Sequence, residues 1–185
     1  MDAVNLIGVD PGIVDTGVVW ARLDRENKIM HAQPRVWRNV TRKVKGGIEV
    51  DQQFLDDLQG YVEYMTDQTK KEKATFTFIE GYRNRGRNPG QDQKMTVLVQ
   101  TIHKVLPGSQ VVDNTGVKNV VTDATLGLLG LNNWGIATHH SDLDSAARIL
   151  LKGAYQDEDL NSIVADVVRD RLEGRSWTLT NSPRS

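Results

Sequence analysis

Two carboxylates each close an apolar run: Asp10 follows Leu6-Ile7-Gly8-Val9, and Glu80 follows Phe76-Thr77-Phe78-Ile79. Both runs read as buried strands, and packing alone gives a strand little reason to end in Glu. A third acidic stretch, His139-His140-Ser141-Asp142-Leu143-Asp144-Ser145-Ala146-Ala147, stands at the head of an apolar helix. Carboxylates that converge from two strand ends and a helix start make a hard-oxygen site suited to Mg²⁺ or Mn²⁺. One or two such ions can clamp a phosphodiester for in-line hydrolysis. Each acid also has an ordinary use. Asp10 suits a turn, Glu80 a surface strand exit, and Asp142 or Asp144 a helix cap. Their joint occurrence asks for a common cause, because crowded like charges repel and a divalent cation relieves the repulsion.

The third stretch leaves a choice. Residues two apart on a helix point in different directions, so Asp142 and Asp144 share a metal only if the helix begins between them. His140 and Asp144, four apart, can share a face, as can His139 and Asp142, three apart. The small residues Ser145, Ala146 and Ala147 let the helix sit close against a sheet, which favours Asp144. Ser141 beside His140 does not make a serine triad, since adjacent residues lack its geometry.

The elements that must position these groups can be read along the chain. Asn5–Val9, Thr16–Leu23 and Lys28–Val36 read as strands, the first two antiparallel across a short turn. Residues 37–47 read as a basic loop, 48–70 as a helix, Ala74–Glu80 as a strand and 81–90 as a loop. Helices are expected over 91–106, 117–131, 141–155 and 157–172, with a brief strand at Gln110–Val112. The last dozen residues, polar and carrying Pro183, are expected to be disordered. This order predicts an α/β domain, a mixed five-stranded sheet flanked by helices. Asp10 and Glu80 become neighbours only if the first and fourth strands pair.

A chain of 185 residues with 38% hydrophobic residues suits one domain with a sizeable core. No apolar run approaches the length of a membrane span, and no basic segment opens the chain, so neither a span nor a signal peptide is expected. Cysteine is absent, which rules out disulfides and thiolate sites and is compatible with a reducing cytoplasm, the host's if the chain is virally encoded. The net charge of −1 weighs against a uniformly basic nucleic-acid binder, but it hides two clusters. Arg35, Arg38, Arg42, Lys43 and Lys45 form one, as readily a solvated surface as a binding one. Arg83, Arg85 and Arg87 form the other, and it begins three residues after Glu80, where cations suit a polyanionic substrate.

These residues together resemble the RuvC family of Holliday-junction resolvases, of the RNase H-like superfamily, from about residue 4 to residue 155. Gly8-Val9-Asp10-Pro11-Gly12 with Thr16-Gly17 resembles the family's opening motif, and Ile79-Glu80 its second acidic motif. The resemblance gives Asp10 and Glu80 metal-ligand roles. Gly116-Val117-Lys118-Asn119-Val120-Val121-Thr122 resembles the segment that keeps a lysine near the scissile phosphate, which makes Lys118 that lysine. The stretch 139–147 resembles the final motif, with two acids, or a His and an Asp, three apart. His139 and Asp142 fit that spacing, whereas the residue three before Asp144 is Ser141, so both aspartates are carried, with His139 and His140 beside them. Tyr82 stands where the family tends to hold an aromatic wedge that could stack on an exposed base. What the resemblance implies is a domain over residues 1–155, followed by a C-terminal helix and tail. It implies a homodimer on branched DNA with Mg²⁺ or Mn²⁺. The apolar face of residues 91–106 could be its interface or ordinary core. Rivals are an RNase H-like nuclease of other specificity, a non-catalytic module that binds branched nucleic acid, and an actin-like ATPase. The last shares the Gly-x-Asp-x-Gly turn but needs two sub-domains.

Overall fold

The computed structural model describes residues 3–38, 40–45, 47–67, 74–83, 88–135 and 140–181. The strand β1 (Ala3–Asp10) pairs antiparallel with β2 (Asp15–Asp24), which pairs antiparallel with β3 (Ile29–Arg38). A small hairpin, β4 (Thr41–Val44) and β5 (Gly47–Val50), leads into α1 (Gln52–Asp67). Then come β6 (Ala74–Gly81), α2 (Pro89–Val105) and β7 (Gln110–Asp113). Two short helices, α3 (Val117–Val120) and α4 (Asp123–Leu128), precede α5 (His140–Gln156), α6 (Glu158–Leu172) and β8 (Thr178–Asn181). The main sheet has the order β7-β6-β1-β2-β3-β8. Its β1–β6, β6–β7 and β3–β8 pairings are parallel.

Strand parity assigns each side chain to a face. On β1, Val4 and Leu6 enter a core shared with α5 and α6, while Ile7 and Val9 enter a second core with α1 and α2. On β6, Phe76 and Phe78 lie on the α5 side and Ile79 on the other. The same period carries Asp10 and Glu80 to the α5 face. Both layers are covered, so β1 is buried at every position before Asp10 and reads as a continuous apolar run.

α5 lies unusually close to the sheet because three glycines admit it. A Cβ at Gly8 would stand 2.1 Å from the Ala146 carbonyl oxygen, and one at Gly17 2.7 Å from that of Asp142. From the helix side, a Cβ at Gly153 would meet the Phe78 ring at 2.2 Å. Gly17 is the partner of Asp10 in the ladder, so this contact sets the first turn of α5 directly beside the end of β1.

The mixed sheet flanked by helices agrees with the expectation, with four differences. The sheet has six strands, because Thr178–Asn181 pairs with Ile29–Ala32 instead of being disordered. Trp177, 5% exposed, inserts into the α5–α6 core and fixes that segment; residues 182–185 lie outside the described ones. The basic loop contains a hairpin, since Thr41, Val44, Ile48 and Val50 are β-branched. Ile48 therefore belongs to β5, and α1 begins at Gln52. The helix expected over 117–131 is two pieces, because the Thr122 side chain accepts from the Thr125 amide and starts α4 afresh. The apolar stripe of α2, with Leu98, Val99, Ile102 and neighbouring Leu106, is buried in the second core.

Candidate active site

Val9 stands opposite Ile79 in the parallel β1–β6 pair, so Asp10 and Glu80 leave the sheet side by side. Both exits are on the α5 face, and α5 delivers Asp142 from its first turn over Gly17. The result is a crowd of acids. Burial, then a hydrogen bond to Glu80 and the charges of Glu80 and Asp142, push the Asp10 carboxyl up to about 9, against a weaker opposing hydrogen bond from Ser145. Asp10 and Glu80 are hydrogen-bonded to each other, and the crowding disfavours the charged form of Asp10. Asn114, just past β7, donates from Nδ2 to Glu80 Oε1 and orients that carboxylate from the other side.

Asp144 makes a different contact. It accepts a hydrogen bond from Trp134 Nε1 at 2.9 Å, and Trp134 is buried in the α5–α6 core. The groups acting on Asp10 are Glu80, Asp142 and Ser145. His139, Arg85 and Arg87 lie outside the described residues, as does the side chain of His140.

Beside Glu80 opens a cleft of about 620 Å³. Arg83, Lys118, Ser145 and Arg148 line it with residues 114–117. Lys118 is exposed on α3, and Arg83 reaches Thr115 Oγ1 at 3.5 Å. Tyr82 points elsewhere: its hydroxyl donates to Asp92, and its ring packs against the α1–α2 core.

Two buried cations, unread in the sequence, hold the far wall. Arg148 is 6% exposed, donates to the Val121 carbonyl at 3.3 Å and pairs with Asp123. Lys152, 5% exposed, donates to the carbonyls of Asp113 and Thr115. α5 thus carries Asp142 at its start and, one and two turns on from Asp144, grips the segment that bears Lys118. Their signal was available: two cations four apart, inside the otherwise uncharged run from Ser145 to Tyr155.

All of the converging donors are carboxylate oxygens, the set a hard divalent cation prefers. Asp10, Glu80 and Asp142 are the residues that could hold one. Among the described residues no three acids or imidazoles stand close enough to form a closed ligand set.

No protein family and no curated protein matches the sequence. Solved structures match it in fold. The RuvC of T. thermophilus, solved in complex with a Holliday junction substrate, aligns with a TM-score of 0.53 at 16% identity, covering 84% of this chain and 95% of that one. A further Thermus thermophilus RuvC structure aligns at 0.48 and 16% identity, over 85% and 97% of the two chains. The yeast mitochondrial Holliday junction resolvase Ydc2 aligns at 0.46 and 13%, over 93% and 81%. The chain is an α/β protein with an RNase H-like fold. Within that class its fold is RuvC-like.

Proposed function

We propose that this chain is a divalent-metal-dependent endonuclease that cuts branched DNA, four-way junctions foremost. The observation that carries the reading is the convergence of Asp10, Glu80 and Asp142 at one sheet end, beside a cleft walled by Arg83 and Lys118. Asp10, Glu80 and Asp142 would hold one or two Mg²⁺ or Mn²⁺ ions, with His139, three residues before Asp142, completing the donors. Bound there, the metal would activate water and stabilise charge on the phosphate. The chain's own groups do the rest. Asn114 fixes Glu80, Ser145 donates to Asp10, and Lys118 and Arg83 place cations where a phosphate would sit. Lys152 and Arg148 hold the Lys118 segment in register with Asp142.

Two opposed cuts require two sites, so the active species is a homodimer whose symmetry matches that of the junction. The buried α2 stripe belongs to the protomer core, which leaves the interface to another face. Sedimentation with and without a junction reports the state.

The reading is tested with a synthetic four-way junction, a linear duplex and an RNA–DNA hybrid, each with Mg²⁺, Mn²⁺ or EDTA. Paired, metal-dependent cuts confined to the junction are expected. Cutting of the hybrid in preference would move the activity to another RNase H-like specificity. Junction binding without cutting under any metal would leave a binding module.

A further inference from the structure

The fold gives the basic cluster at 35–45 a definite place. β3 ends at Arg38, opposite Asp15 and at the same end of the sheet as Asp10. The hairpin β4–β5 springs from that point. Its root is fixed to the turn leaving Asp10: the Val40 amide donates to the Val14 carbonyl at 3.2 Å, and Thr41 Oγ1 donates to that of Ile13 at 2.7 Å. The Asp51 amide closes the root onto the Val40 carbonyl at 2.9 Å. Val40 and Val50 are buried in the α1–α2 core, and β5 rests against α2, the helix after Glu80. The hairpin is therefore fastened to the turn that leaves Asp10 and packed against α2, on the face away from α5. The cleft with Lys118 borders the acids on the other face.

Its charge is one-sided. Residues 35–50 carry five cations and a single carboxylate, in a chain whose net charge is −1. Arg35 is spent on packing, stacked 4.7 Å over Trp37 and 5.5 Å over Tyr61. Arg38 and Lys45 are exposed. Arg42 pairs with Glu49 at 3.3 Å, but both side chains are more than half exposed, so the pair is weak and a phosphate can displace it. Lysines on a short edge strand can serve only to discourage aggregation. Here the root of the hairpin is anchored to the turn that leaves Asp10, which places the cations at the acid-bearing end of the sheet. A four-residue antiparallel arm reaches roughly 14 Å from its root. Over that length duplex DNA presents about eight phosphates.

We propose that the β4–β5 hairpin is a cationic arm that grips the phosphate backbone of a duplex flanking the cut, through Arg38, Arg42 and Lys45. The assignment deepens the nuclease reading and rests on it for the site, but its test is a binding measurement. Affinity for a fluorescent four-way junction and for a linear duplex is followed by anisotropy between 50 and 200 mM salt, with EDTA present. The triple variant Arg38→Gln, Arg42→Gln, Lys45→Gln is expected to bind roughly tenfold to a hundredfold more weakly at low salt, with a log–log salt slope smaller by about two to three. The conservative set Arg38→Lys, Arg42→Lys, Lys45→Arg keeps the slope. Glu49→Gln removes the competing carboxylate and tightens binding severalfold, a gain that misfolding cannot mimic. Lys104→Gln, which removes one cation near the far end of α2, leaves the slope as it was. A triple variant that melts like the parent and keeps its affinity and slope overturns the arm, whatever the chain cuts. A hairpin-dependent slope in a chain that cuts nothing keeps the arm and removes the nuclease.

Discussion

Asp10 is where burial and like charge act together most strongly, and its proton makes a test of the site that needs no substrate. Its carboxyl stands at about 9 in the fold against an ordinary 3.8. The folded chain therefore holds one more proton than the unfolded chain between those values. Stability falls as pH rises through that window, being complete below the unfolded value and lost above the folded one. Asp10→Asn removes the dependence and keeps a donor toward Glu80. We expect the metal-free variant to melt above the parent at pH 8, by about 2–4 °C for each kcal/mol relieved in a chain of this size. Mg²⁺ should raise the parent's midpoint and not the variant's, and the variant should bind junctions without cutting them. A variant less stable than the parent at pH 8 without metal would show that the acids are not crowded. Asp10 and Glu80 stood out in the sequence because each ends an apolar strand. Which of Asp142 and Asp144 lies beside Asp10 did not, because it depends on the rotation of α5. Contacts remote in sequence set that rotation, Gly17 against Asp142 and Trp134 against Asp144.

At the scale of elements, α5 acts as one rigid part with two attachments. Its start is seated on Gly17, and a Cβ there would press on the Asp142 backbone. Gly17→Ala should cost about 1–3 kcal/mol of stability by overpacking. It should also weaken metal binding, read by titration calorimetry, as Asp142 moves away from Asp10; unchanged metal affinity would detach Asp142 from the site. The other attachment is Lys152 on the Asp113 and Thr115 carbonyls. Lys152 is a positioning residue, so Lys152→Met should lower kcat on a junction by ten- to about a hundredfold, the penalty of misplacement near 1 Å. KM should change little, and Lys152→Arg should recover part of the rate. A rise in KM with kcat intact would place its effect on binding instead. The sequence displayed most strands and helices through their period. It concealed the β4–β5 hairpin, where charge outweighed the β-branched signal, and the break at Val121-Thr122, where Val121 turns extended and Thr122 caps the next helix.

Across the whole molecule the two ends of the sheet gather different groups. The acids, the cleft and the basic hairpin gather where β1, β3 and β6 end. The opposite end is closed by the C-terminal segment, as β8 pairs with the start of β3. Charges there are paired for structure. Arg25 binds Asp166, Lys28 lies 3.4 Å from Asp170, and hydrogen bonds from Trp177 and Arg175 hold the Asp170 carboxyl down at about 2. That depressed value contributes stability above the ordinary carboxylate range, and the contribution is lost as pH falls toward 2. Trp177 joins the two parts, its ring in the α5–α6 core and its Nε1 donating to Asp170 at 3.1 Å. A polar tail with one Trp gave little periodicity to read, because a four-residue edge strand is fixed by its partner strand and not by its own pattern. Trp177→Ala should cost about 3–5 kcal/mol, as for other buried aromatic truncations. For a chain of this length the midpoint should fall on the order of 10 °C. The site lies at the other end of the sheet, so junction cleavage well below the new midpoint should keep the parent's rate and metal requirement. A cleavage defect in protein that is still folded by circular dichroism would mean that the C-terminal strand reaches the site through α5, and that the two ends are not independent.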